Sequence, residues 1–220
     1  SYFFVCPEHR TKGIGSQLLT TFIGEAKNLN LKQILVCGET GNAPGYIQPG
    51  IEIAEVAAIK LLSRFKFEQI GTAYSMEINL SSFMWTLSEG SSQWKIRIAN
   101  RQDQEQLYTT VEESVSADWA NFFSKSLKDS ESLILVAENS GNIGGFCHSK
   151  AGHFGPIGVS RKYRKEGLGT LLTNSTLFAM KNRGLERAWF NWSDEENLKF
   201  YQKIGFTIFH KFERFRLKID

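Results

Sequence analysis

One loop occurs twice in this chain. Residues 7–19 read PEHRTKGIGSQLL and residues 161–172 read RKYRKEGLGTLL, and a shift of 154 positions sets Arg10 on Arg164, Gly13 on Gly167 and Gly15 on Gly169. Without a gap, the same shift carries Val5 onto Val159, Leu18 onto Leu172, Lys27 onto Lys181, Asn28 onto Asn182 and Leu31 onto Leu185. A lone G-x-G constrains little, but two copies in matching strand, loop and helix context constrain the fold strongly. The register then breaks, because Gly15 to Phe67 is longer than Gly169 to Phe206 by 15 residues. The surplus falls in GETGNAPGYIQPGIE, a Gly/Pro-rich loop of the first copy.

A strand that runs into a glycine loop and then a helix aims several backbone N–H groups at one spot. The helix dipole adds positive potential there, so the spot suits an anion such as a pyrophosphate. Glycines at 167 and 169 keep Cβ atoms out of the way, and Arg161, Lys162, Arg164 and Lys165 add neutralising charge. Other phosphate loops fit poorly. A G-x-G-x-x-G motif wants glycine at Leu172, and a Walker A loop wants Gly-Lys-Ser/Thr; neither copy has them.

Periodicity fills in the rest. WKIRI alternates as a strand, and NRQDQEQLYTTVEESV follows as a helix with Asn100 as N-cap. LILVAE and IGGFCHSK are strands joined by an NSGN hairpin, and HFGPIGV is another strand. A helix carries Leu168, Leu171, Leu172 and Phe178 near one face and runs to about Asn182, where Gly184 stops it. RAWFNW is a strand, DEENLKFYQKIGF a helix and turn, and FERFRLKI a closing strand. The order β-α-β-β-β-α-β-α-β predicts an α/β fold with a mixed sheet and helices on its faces. The first copy supplies only the later elements, from a strand at YFFV to one alternating through Tyr74, Met76, Ile78 and Leu80. The expected domains are 1–80 and 93–220, with a linker at 81–92 (SSFMWTLSEGSS).

With 41% hydrophobic and 22% charged residues the chain reads as globular, and no apolar run approaches the about 18 residues of a membrane span. A net charge of +3 does not argue for nucleic acid, and the RKYRK charges gather at one helix start rather than along a basic face. Cys6, Cys37 and Cys147 lack metal-ligand spacing, so no metal is expected and reduced thiols in a cytoplasmic setting are. The chain opens without Met inside an apparent strand, and the first copy lacks opening elements, so residues are expected before Ser1.

Arg164-x-x-Gly167-x-Gly169, following a strand that ends at Val159, resembles the acyl-CoA pyrophosphate signature of the GNAT acetyltransferases. DEENLKFYQKIGF resembles that family's Asn-x-x-Ala-x-x-Leu-Tyr-x-x-x-Gly-Phe segment: Phe200, Tyr201, Gly205 and Phe206 match, while Asp194 and Asn197 depart from it. IRIANRQDQEQL resembles the family's opening, so residues 94–220 are covered nearly whole and residues 1–80 resemble the later half of a second, N-terminally incomplete domain. The whole looks like a tandem GNAT protein. The resemblance implies acetyl-CoA as cosubstrate and a small-molecule or peptide amine as acceptor, with the chain a monomer or homodimer. It implies pantetheine contacts at Gly158, Val159 and Ser160, and Asn197 is a further cofactor-binding candidate. Pyrophosphate would be held by Arg164, Lys165, Glu166, Gly167, Leu168, Gly169 and Thr170. It makes Tyr201 the general acid, and Asp194 is a further catalytic candidate.

The copies are unequal. Aligning Phe67 with Phe206 puts Leu62 where Tyr201 stands and Lys66 where Gly205 stands, so the first copy lacks the acid. Its loop survives in Arg10, Gly13, Gly15 and Ser16, which leaves acyl-CoA binding open there. Cys6, aligned with Ser160, is expected as a buried thiol. His148 and His153 read as core-edge histidines before proton relays, and DWANFF (118–123) reads equally as helix packing or as an acceptor wall. The competing reading for the whole is a non-catalytic acyl-CoA sensor or scaffold.

Overall fold

The computed structural model describes residues 4–36, 50–85 and 93–219. In chain order these form α1 (Ile14–Asn28), β1 (Gln33–Val36), β2 (Ile51–Glu52), α2 (Val56–Arg64), β3 (Glu68–Asn79), β4 (Lys95–Ile98), α3 (Gln104–Ser114) and α4 (Ala117–Ser126). They continue with β5 (Leu133–Asn139), β6 (Asn142–Lys150), β7 (His153–Val159), α5 (Leu168–Asn182), β8 (Arg187–Ser193), α6 (Glu195–Ile204) and β9 (Thr207–Lys218). Most of the surplus loop and residues 86–92 of the expected linker lie outside the described residues.

The described residues form two compact units, one of 4–36, 50–74 and 210–219 and one of 75–85 and 93–209. The division falls inside β3 and β9 rather than at the linker. The reason is strand pairing: β1 pairs antiparallel with β9 from Gln33↔Lys218 to Val36↔Phe215, and β2 pairs with β9 at Ile51↔Glu213. The end of the chain therefore belongs with its beginning.

In the first unit α1 and α2 cover this small sheet, and Leu19, Ala26, Ile34, Leu62, Phe67 and Phe215 make one apolar cluster. Two expectations fail here. Phe4, Val5 and Cys6 are not a strand, and the Cys6 thiol is exposed. In the second unit β6 pairs with β7 up to Val159 and covers Ser160, the position that Cys6 matches; the first unit has no such strand among its described residues.

The second unit is a mixed sheet. β4, β5, β6 and β7 pair antiparallel in sequence, and β7 meets β8 in parallel. The β5–β6 hairpin turns on Ser140 (φ 50) and Gly141 (φ 80), the backbone that an Asn-Ser-Gly-Asn turn allows. Before α3, Asn100 Oδ1 accepts from the Gln102 N–H at 2.8 Å and Asp103 Oδ2 accepts from the Asn100 N–H at 2.7 Å. Arg97 grips the same carboxylate at 2.7 Å, which holds the Asp103 pKa below its ordinary value. The DWANFF segment lies in α4; Ser116 caps this helix, which buries Ala120 and Phe123 against Leu107, Val111 and Phe146. On α5 the buried side runs through Leu168, Leu172, Thr176, Leu177 and Met180. Phe178 is instead 43% exposed, because it lies beyond the apolar stripe, and its ring meets Trp85 at 6.4 Å.

Gly144 on β6 is required by a close approach. A Cβ there would lie 2.3 Å from Cη2 of Trp94, whose ring packs edge-on to Tyr163 at 4.6 Å. Gly144→Ala should therefore force the indole aside and lower stability by about 1–3 kcal/mol, the usual range for overpacking. Urea denaturation measures this, and an unshifted midpoint would show that Trp94 yields freely.

Candidate functional site

The second glycine loop is built by a short 3-10 turn, Arg161–Tyr163, closed by the Tyr163 N–H to Ser160 O at 2.9 Å. Arg164 Nε then donates back to Val159 O at 3.0 Å, which folds the loop against the end of β7. Lys165 (φ 69) and Gly167 (φ 79) take left-handed backbone, and α5 starts with the Leu171 N–H to Gly167 O at 3.0 Å. No side chain caps this helix start. The N–H groups of Leu168, Gly169 and Thr170 precede the first intrahelical bond and point out along the axis. A Cβ on Gly167 would meet nothing within 4 Å, so the glycine serves its backbone angle rather than a close packing contact. Arg161, Lys162, Arg164, Lys165 and Glu166 are exposed around the rim. These groups suit a phosphorylated ligand.

The first loop repeats this construction. Arg10 Nε donates to Val5 O at 3.2 Å, Thr11 (φ 64) and Gly13 (φ 83) match Lys165 and Gly167, and α1 starts with the Gln17 N–H to Gly13 O at 3.1 Å. The bounds of α1 and α5 differ by the same 154 residues as the sequence repeat. Gly15 is tighter than Gly169, since a Cβ on it would lie 3.3 Å from Leu61. Ser16 follows it in the first turn of α1.

Beside the second loop, β7 and β8 part. Their parallel register holds only His153↔Trp189, with the Trp189 N–H on Gly152 O at 3.0 Å. Past that pair, β7 continues along β6 alone, from Cys147↔Ile157 to Gly145↔Val159. The Ser160 N–H donates to Gly144 O at 2.9 Å, and a strand's hydrogen-bonding edge alternates. The backbone groups of Val159 and Ile157 therefore face the β8 side, while Gly158 and Ser160 face β6. Of the three strand residues expected at a ligand, Val159 offers its amide to the gap and Ser160 spends its own in the sheet. Ile157 was missed, and counting the alternation back from Ser160 identifies it.

Tyr201 lies on α6, with its ring centroid 4.6 Å from Phe190, 5.5 Å from Phe206 and 6.4 Å from Phe154. Burial, then the neighbouring Cys147 and Asp194, hold its pKa above the ordinary phenol value. The phenol is thus protonated through the neutral range. Asp194 is the N-cap of α6: its Oδ1 accepts from both the Asn197 N–H and Asn197 Nδ2 at 2.9 Å. Both residues are accounted for structurally by that cap. The equivalent of Tyr201 in the first unit, Leu62, is 3% exposed in the core, and Lys66 (φ 63) keeps the left-handed backbone of Gly205 (φ 111).

His148 is a core histidine, its pKa pushed down to about 4 by burial. The Cys147 thiol is pushed up to about 12, also by burial, and is inert as a nucleophile at neutral pH. Among the described residues no group of His, Cys, Asp and Glu has metal-binding geometry, and no helix is long and apolar enough to cross a membrane.

Residues 130–208 match the acetyltransferase (GNAT) domain family, and they lie within the second unit. This part of the chain is therefore similar to the GNAT acetyltransferase domain. No curated protein matches the chain. Among solved structures it is similar to the glucosamine N-acetyltransferase region of a fungal multi-domain GH3 beta-N-acetylglucosaminidase, with TM-score 0.77, 13% identity and 98% of this chain covered. The chain spans 29% of that protein. A GCN5-related N-acetyltransferase from Sphaerobacter thermophilus aligns with TM-score 0.73 and 22% identity over 98% of this chain and 71% of its own. A tandem GNAT protein from the clavulanic acid biosynthesis pathway, solved without AcCoA, aligns with TM-score 0.63 and 13% identity over 99% and 73%. At these identities the likeness establishes the fold.

Proposed function

We propose that this chain transfers an acetyl group from acetyl-CoA to a primary amine of a small molecule or peptide by direct attack. The observation that carries the reading is the junction of the uncapped α5 start with the parted β7 and β8. The donors of Leu168, Gly169 and Thr170 suit a pyrophosphate, and the Ile157 and Val159 edge suits an extended pantetheine arm bound like an added strand. A strand amide there polarises the thioester carbonyl.

In the reaction the neutral amine nitrogen bonds to the thioester carbon, the C–S bond breaks, and the departing sulfur takes a proton. Tyr201 supplies it, and the proton given up by the attacking nitrogen restores the phenol. A thiol titrates near about 8.5, below a phenol at about 10, so full transfer from Tyr201 is uphill alone and must be coupled to that return. The raised pKa therefore suits a donor that shares its hydrogen with the sulfur as charge develops. The first unit, with the same loop and Leu62 for the tyrosine, is proposed as the non-catalytic member of a tandem pair that retains an acyl-CoA cradle. A cytoplasmic setting, where acetyl-CoA is supplied, is proposed with it.

Calorimetric titration with acetyl-CoA, followed by thiol release across a panel of primary amines, tests this reading. Saturable binding with release for at least one amine class is expected. Binding without release to any class would favour the sensor reading, and no binding would remove both.

A further inference from the structure

We propose that His148 is a positioning residue for acyl transfer: it anchors the Gly155 carbonyl where β7 leaves β8 and so sets the backbone edge on which the thioester lies. This rests on the acyl-transfer reading above. The β6–β7 register shifts between Cys147↔Ile157 and Ser149↔Phe154, so His148 stands opposite two residues, Gly155 and Pro156. Pro156 has no N–H to give, and Gly155 takes a backbone of φ 96. Pro156 therefore cannot donate to the ladder opposite His148. Instead the His148 ring, 3% exposed, brings Nδ1 to 3.2 Å from Gly155 O.

A carbonyl only accepts, so Nδ1 carries the hydrogen and Nε2, facing Ser132 Oγ at 3.2 Å, is left without one. Phe122 and Phe123 of α4 flank the ring at 5.1 and 5.7 Å and fix its plane. Gly155 sits two residues past the last β7–β8 pair, His153↔Trp189, and two before Ile157, the first residue to face the gap. A shift at Gly155 is passed directly to Ile157. The end of β7 is tied separately to β6 by the Ser160 N–H to Gly144 O, so the loop that Val159 anchors, and with it the phosphate donors, moves less.

This predicts a split between binding and turnover. His148→Phe fills the space but donates nothing, and should lower kcat about tenfold while the acetyl-CoA Kd moves less than about threefold. His148→Asn, whose amide nitrogen falls near Nδ1, should recover most of the rate. A purely structural histidine would lower the unfolding midpoint without changing kcat of the folded protein. Unchanged kcat in folded His148→Phe, or a loss that Asn does not rescue, overturns the proposal. If His148→Phe does not fold, nitrogen NMR of the unaltered protein at neutral pH decides: the Nδ1–H tautomer is expected, and an Nε2–H tautomer overturns it. Wild-type protein that fails to bind acetyl-CoA would instead sink the acyl-transfer reading itself.

Discussion

Tyr201→Phe is expected to keep acetyl-CoA binding and slow acyl transfer by about 10²-fold, the usual scale for losing a general acid. The ring sits among Phe154, Phe190, Phe200 and Phe206, at centroid distances from 4.6 to 6.4 Å, and a phenyl group fills the same space. Packing is therefore held constant while one hydroxyl is removed. Because burial raises the phenol pKa, the folded protein keeps its proton beyond the ordinary titration near about 10. The wild-type rate should show no alkaline fall from this group up to that pH. Single-turnover mixing of enzyme-bound acetyl-CoA with amine isolates the chemical step from product release. A phenylalanine variant that reacts at full speed in that experiment would leave Tyr201 as a packing residue.

What was legible in the sequence was whatever a local rule controls. The two glycine loops mark helix starts at Gly13 and Gly167, and the helices that follow start and stop 154 residues apart. After the surplus loop the bounds of β3 and β9 differ by 139, as the alignment of Phe67 with Phe206 requires. The division into units was not legible, because the pairing of β1 with β9 joins segments nearly the whole chain apart and leaves no mark in either one. At the second loop, sequence placed the glycines and the helix start but not the direction in which each strand amide points. That depends on one cross-strand bond, Ser160 to Gly144, which turns the backbone of Ile157 and Val159 away from β6. The catalytic candidacy of Asp194 rested on a carboxylate near a helix start, and a helix start also needs a cap.

Gly167→Val is expected to weaken acetyl-CoA binding by at least about 100-fold, on the scale of a few lost charge-assisted hydrogen bonds. Two effects coincide at this position. Backbone at φ 79 disfavours any side chain, and a β-branched one most, at about 1–2 kcal/mol. Because a Cβ there meets no protein atom within 4 Å, the side chain also takes up open space beside the helix start, which a phosphate approaching the Leu168, Gly169 and Thr170 donors would need. Gly167→Asn separates the two, since asparagine adopts left-handed backbone at little cost. If the glycine serves the turn alone, the asparagine variant binds as wild type does. If it also clears the way for phosphate, that variant keeps its stability and still loses affinity, and this is the expected result. Titration calorimetry, with circular dichroism to establish that each variant is folded, distinguishes the cases. Wild-type affinity in a folded valine variant would remove the phosphate cradle, and the basic rim of Arg161, Lys162, Arg164 and Lys165 would be left as a solvated turn.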